Sequence, residues 1–170
     1  HSFPTRRSSD WSSDVCSWLP EKLQWQVAAM ETEKDVVLSF GKAYSSTTDL
    51  KSNYSLSDFS FFTDEVLQNK PIGEATKALL FSNFIVALTV LIRKPALVKI
   101  GGFRQSHQLP LVDLTTWIEL SLHGRFSVVD KPLGKWRFYP NQITKTYTAE
   151  IHEGFYKFAI DFYSTNQSFL

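Results

Sequence analysis

The sequence predicts an α/β fold in which helices flank a sheet, and three observations favour it. Helical and strand-like patterns alternate from Trp18 onward, residues 84–92 form an apolar run, and the last helical segment carries one aromatic stripe. An apolar run of that length is typical of a strand buried on both faces of a sheet. We therefore expect 84–92 to be a central strand.

The first predicted elements are a helix over 19–33 and a strand over 36–44. Apolar residues recur at helical spacing in the helix, at Leu19, Leu23, Val27 and Met30. Pro20 stands near its first turn, where the missing N–H is tolerated. The strand is rich in β-branched and aromatic residues, and the polar stretch 45–60 after it is expected to be a long loop.

Three more helices are expected in the middle of the chain. One covers 74–83, a short one lies between Pro95 and Gly101, and the third covers 112–123 with Gly124 as its C-terminal cap.

The last part of the chain predicts two extended segments and a helix. The segments cover 126–130 and 134–139 and are separated by a turn, and the tail helix covers 148–164. Four apolar residues form one stripe on this helix and should pack on the sheet: Ile151, Phe155, Phe158 and Phe162.

The first 17 residues are expected to be foreign to the fold. They show no helical or strand periodicity, and the triplet Ser-Ser-Asp occurs twice, at 8–10 and 12–14. The stretch resembles the translation of two sequencing-library adapters joined end to end, a contamination of assembled environmental DNA. We therefore interpret 1–17 as a disordered, non-native segment and 18–170 as the domain. Since Cys16 is the one cysteine, disulfides and cysteine zinc sites are excluded from that domain.

Charge and hydropathy restrict the classes of partner. The 18 basic and 17 acidic side chains give a net charge of +1, which provides no electrostatic footprint for nucleic acid or an anionic membrane. No apolar run reaches the roughly 20 residues of a membrane-spanning helix. We expect no nucleic-acid partner, no transmembrane segment, and a cytoplasmic protein that is at most peripheral to a membrane.

A series of short motifs carries a family resemblance. In chain order they are Trp18-Leu19-Pro20-Glu21-Lys22-Leu23, Gln26-Val27, Asn83-Phe84-Ile85, Val90-Leu91-Ile92-Arg93-Lys94, Gly101-Gly102-Phe103, Asp113 with Trp117-Ile118-Glu119-Leu120, Gly124-Arg125-Phe126, Lys131-Pro132-Leu133 and Trp136-Arg137. In order and spacing, this set resembles the family 2 glycosyltransferases over nearly everything after Ser17. The resemblance implies a GT-A fold, a Rossmann-like mixed α/β sheet, here partial and truncated at the N-terminus.

The resemblance also implies an activity. Family members transfer a sugar from a nucleotide-diphospho-sugar donor to a hydroxyl of a glycan or lipid-linked acceptor with inversion, in polysaccharide or glycan biosynthesis. The chain is then the acceptor-side fragment, inactive by itself. The alternative is a non-catalytic module, related to these enzymes, that binds a carbohydrate or a partner. A native start upstream of Trp18 with a strand and an acidic motif would favour the enzyme.

The resemblance places the metal site of the intact enzyme outside this chain. The family's acidic motif holds a divalent metal, Mn or Mg, on the donor pyrophosphate, and it should stand immediately before Trp18. Asp10 and Asp14 are at the wrong spacing to replace it. We assign no metal ligand here and expect no metal on the fragment. The motif positions are occupied by Val15, Cys16 and Ser17.

Asp113 is the candidate catalytic residue. It matches the family's general base, which removes the proton from the acceptor hydroxyl. The alternative is a helix cap that accepts N–H bonds in the first turn. Val112 and Thr115 stand where relatives often carry acids, so the acceptor is not specified.

Three residues are candidates for substrate binding. Arg137 matches a family arginine that contacts phosphate oxygens, or it forms a structural ion pair. Trp136 and Trp117 either stack on a sugar or belong to the core. Tyr139 replaces a histidine of many relatives, and His107, His123 and His152 lack the spacing of metal ligands.

A half-sheet of this kind is expected to self-associate. Truncation would leave a strand edge unpaired, and a strand over 84–92 would be too apolar to face water.

Overall fold

The described residues form an open mixed sheet with flanking helices, which confirms the α/β class. The computed structural model describes residues 16–46, 55–103, 112–138 and 142–167. Its strands are β1 Cys16–Trp18, β2 Val36–Ser46, β3 Ser55–Leu56, β4 Leu91–Ile92 and β5 Arg125–Arg137. Strand order is β1-β5-β2-β3, and β4 also pairs with β2.

Helices form at most of the places that the apolar periodicity predicts. They are α1 Lys22–Thr32, α2 Asp64–Gln68, α3 Glu74–Phe81, α4 Lys94–Lys99, α5 Val112–Ser121, α6 Ile143–Thr146 and α7 Thr148–Thr165. The predictions for α1, α3, α4, α5 and α7 are confirmed within a few residues. The short helices α2 and α6 were not predicted. Among the described helices, none is both long and apolar enough to cross a membrane.

The central strand is β2. It runs parallel to β5, from Val36 opposite Arg125 to Ser46 opposite Arg137. On its other side β2 pairs antiparallel with β3 and β4, and β1 pairs antiparallel with the outer side of β5. The carboxyl ends of β2 and β5 therefore meet at one end of the sheet.

The prediction of a central strand over 84–92 is wrong. The structure has irregular backbone there, then a 3₁₀ turn at Ala87–Thr89, and only Leu91–Ile92 pairs with β2. Phe84 and Ile85 are buried by side-chain packing, with the Phe84 ring centroid 5.9 Å from that of Phe40.

Local side-chain bonds replace strand pairing in this run. Asn83 Oδ1 accepts a hydrogen bond from the Ile85 N–H at 3.1 Å, and Thr89 Oγ1 donates to the Val86 carbonyl at 2.7 Å. The apolar composition of the run therefore predicted neither strand pairing nor burial throughout, since Phe84 and Ile85 are buried but Ala87 is exposed. The reason for self-association that relied on this strand is therefore wrong, whereas the unpaired strand edge and self-association itself stay predictions.

The two extended segments predicted after α5 are one strand. β5 continues through Pro132, and its register with β2 shifts between Gly41 and Ala43. Proline cannot donate to a ladder, and a bulge is where a strand tolerates it.

Gly124 is not a left-handed helix cap. α5 ends at Ser121, and a Cβ on Gly124 would overlap the Val37 side chain and lie 2.7 Å from the Asp35 carbonyl oxygen. The glycine is required because the turn between α5 and β5 passes directly against the start of β2.

Asn69 fixes the same turn. This buried residue has φ 51°, and its Nδ2 donates to the carbonyls of Ser121 and Gly124 at 2.6 and 2.8 Å. Its Oδ1 accepts from the N–H groups of Gly73 and Ala75 at 3.0 and 2.9 Å. One side chain therefore joins the start of α3 to the end of α5.

The core lies between the sheet and the helices. Phe40 is at its centre, with ring centroids 5.6 Å from Phe59 and 6.5 Å from Phe126. Of the stripe predicted on α7, Phe158 and Phe162 belong to this core and Phe155 packs against it, which confirms the prediction for these three residues.

The predicted foreign segment meets the sheet at one strand. Residues 1–15 lie outside the described residues. Cys16 and Ser17 belong to β1, where Cys16 is exposed and pairs with Trp136. The domain boundary at 17 and 18 stays a prediction.

Candidate functional site

The candidate site residues fall into two places, the end of β5 and the start of α5. No hydrogen bond or ion pair among the described residues joins Asp113 to Trp136 or Arg137. The end of β5 is the carboxyl end of a parallel pair of strands, where ligands of open α/β sheets gather, whereas Asp113 lies in the first turn of α5.

The end of β5 lies against β1. The Phe138 N–H donates to the Ser46 carbonyl at 2.8 Å, so the neighbouring peptide group of Arg137 faces the β1 side. There the Arg137 N–H donates to the Cys16 thiol. Desolvation raises the pKa of that thiol, and this hydrogen bond opposes the shift.

The guanidinium of Arg137 has no hydrogen-bond or ion-pair partner among the described residues. The alternative role of Arg137, a structural ion pair, therefore has no acidic partner among the described residues. The side chain is half-buried, and a guanidinium can bind an anion such as a phosphate with two parallel N–H bonds.

Trp136 and Arg137 do not share a face of the sheet. They are consecutive in a regular stretch of strand, so their side chains leave on opposite faces. Trp136 instead packs against Phe138, with ring centroids 4.2 Å apart and an interplanar angle of 41°. Both rings are half-buried, and we refer to this pair as the aromatic ledge.

Gln142 is a site residue that the sequence did not predict. Its Nε2 donates to the Arg137 carbonyl at 2.9 Å, while its Oε1 is buried without a hydrogen-bond partner. Its main-chain carbonyl accepts from the N–H groups of Lys145 and Thr146, which begins α6. The Lys145 Nζ lies over the Phe138 ring, 5.9 Å from its centroid.

Asp113 lies in the first turn of α5 with an exposed side chain. None of the described residues donates a hydrogen bond to its carboxylate. Because α5 begins at Val112, Asp113 is inside the helix, and the geometry shows no capping bond. Desolvation by the surrounding protein raises the pKa of its carboxyl above the usual range.

Trp117, one turn further along α5, belongs to the core. Its side chain is 2% exposed, and its Nε1 is buried without a hydrogen-bond partner. An enclosed ring has no open face on which a sugar can stack, so the position of Trp117 fits the core alternative.

The residues at the expected metal position do not fit a divalent metal. Of the three motif positions, Cys16 and Ser17 are described, and they present a thiol and a hydroxyl where Mg²⁺ or Mn²⁺ needs carboxylate oxygens. In the described part of the chain no group of three or more His, Cys, Asp or Glu could hold a metal. His123 and His152 are exposed, whereas His107 and Tyr139 lie outside the described residues.

Comparisons with known proteins do not assign a family to the chain. No protein-family model matches it. No curated protein matches it either. The family 2 resemblance therefore rests on the ordered motifs, and the site has to be argued from its own geometry.

Proposed function

We propose that the chain is the acceptor-side half of a family 2 glycosyltransferase with a GT-A fold, truncated at the N-terminus. The complete enzyme transfers a sugar from a nucleotide-diphospho-sugar to a hydroxyl acceptor, in polysaccharide or glycan assembly at the cytoplasmic side of a membrane. The observation that carries the proposal is the environment of Asp113. Asp113 is an exposed residue, its carboxylate accepts no hydrogen bond from the described residues, and desolvation by the surrounding protein raises the pKa of its carboxyl.

These properties are those of a general base. A carboxylate already held by N–H donors would have a lowered pKa and would be a weaker proton acceptor. Asp113 takes the proton of the acceptor hydroxyl as its oxygen bonds to the anomeric carbon. The bond from that carbon to the diphosphate breaks at the opposite face, so the configuration inverts.

Arg137 supports the same reaction from the end of β5. Its guanidinium, which has no partner among the described residues, suits the diphosphate oxygens of the donor, on which negative charge increases as the bond breaks. A divalent metal would neutralise the same charge in the complete enzyme, with ligands from the donor half.

A second candidate function is carbohydrate binding without catalysis. It is favoured by the aromatic ledge of Trp136 and Phe138, because aromatic rings stack on the C–H faces of sugars. This function needs neither a metal nor a donor site.

A fusion protein tests which function applies. Residues 18–170 are joined behind the donor-binding half of a family 2 glycosyltransferase, and transfer to a panel of glycoside acceptors is measured by NMR. We expect product with inverted anomeric configuration. A fusion that folds and binds the sugar nucleotide but transfers nothing would favour the non-catalytic module.

A further inference from the structure

We draw no further inference here: the strongest candidate, the surface patch that Tyr156, Ile160 and Tyr163 form on the side of α7 away from the core, is an exposed helix face, and nothing in the described residues shows what covers it.

Discussion

The Asn69 side chain should be one of the largest single contributions to stability outside the apolar core. Asn69→Gly removes all four of its hydrogen bonds, while glycine accepts the φ of 51° without strain. Two carbonyls and two N–H groups then lose their partner in a buried position. At about 1 kcal/mol for each lost bond, the free energy of unfolding should fall by roughly 4 kcal/mol.

Asn69→Ala adds the strain of a left-handed backbone to the same loss. That strain is about 1–2 kcal/mol for a residue with a Cβ, so the alanine variant should be less stable than the glycine variant by about that amount. A domain of this size has a total stability of roughly 5–15 kcal/mol, and either variant should lose a large share of it.

Equilibrium unfolding in urea, followed by circular dichroism, measures both differences. The control is Asn83→Gly, which removes one local bond from an exposed asparagine and should cost about 1 kcal/mol or less. A loss below about 1 kcal/mol for Asn69→Gly would refute the argument that Asn69 holds α5 against α3. The position of α5 matters because it carries Asp113.

Three further predictions concern the turn before β5, the titration of Asp113 and the donor. Gly124→Ala should lower the free energy of unfolding by about 1–3 kcal/mol, because its Cβ meets Val37 and the Asp35 carbonyl, and an unchanged urea midpoint would contradict this. The Asp113 carboxyl should titrate in carbon-detected NMR above the value of about 3.9 in unfolded chains. The free energy of unfolding of the parent chain, relative to that of Asp113→Asn, should be highest below the pKa of the unfolded chain and should fall as pH rises through the pKa of the folded state. A difference that does not change with pH would refute this. Calorimetry with uridine and guanosine diphospho-sugars and manganese should show no micromolar binding to the chain, since the acidic motif is absent, and micromolar binding would refute the fragment interpretation.

The helices were predictable because their signals are local. Apolar spacing and the positions of proline and glycine placed five of them within a few residues of the observed bounds. The face that each helix buries was less predictable. In α1 the buried positions include Lys22 and Gln26, whereas Leu23 and Val27 of the apolar stripe are exposed.

The burial of these polar residues depends on distant backbone. Gln26 Nε2 donates to the carbonyls of Ser39 and Thr89 at 3.0 and 2.8 Å, and Lys22 Nζ donates to the Val90 carbonyl at 3.2 Å. Burial lowers the pKa of Lys22. These carbonyls are free to accept because residues near 89 do not form the strand that apolar composition predicted. The wrong prediction of a strand over 84–92 therefore also concealed the backbone acceptors that allow Lys22 and Gln26 of α1 to be buried.

The site was predictable only in part. The alternation of side chains along the predicted strand 134–139 would have separated Trp136 from Arg137, although the sequence analysis took both as candidates for substrate binding. The burial of Trp117 and the unpaired Oε1 of Gln142 depend on how helices and loops pack, and no local sequence pattern encodes that packing.

The catalytic role of Asp113 is the central claim, and turnover of the fusion protein tests it most directly. Asn has nearly the same size and shape as Asp but accepts no proton, and the Asp113 carboxylate accepts no hydrogen bond from the described residues, so Asp113→Asn should lower kcat by roughly 10²- to 10⁴-fold with little change in melting temperature. Asp113→Ala should lose as much activity. Nearly full turnover by Asp113→Asn, with Asp113→Ala less stable by about 1 kcal/mol, would identify Asp113 as a capping residue and contradict the account.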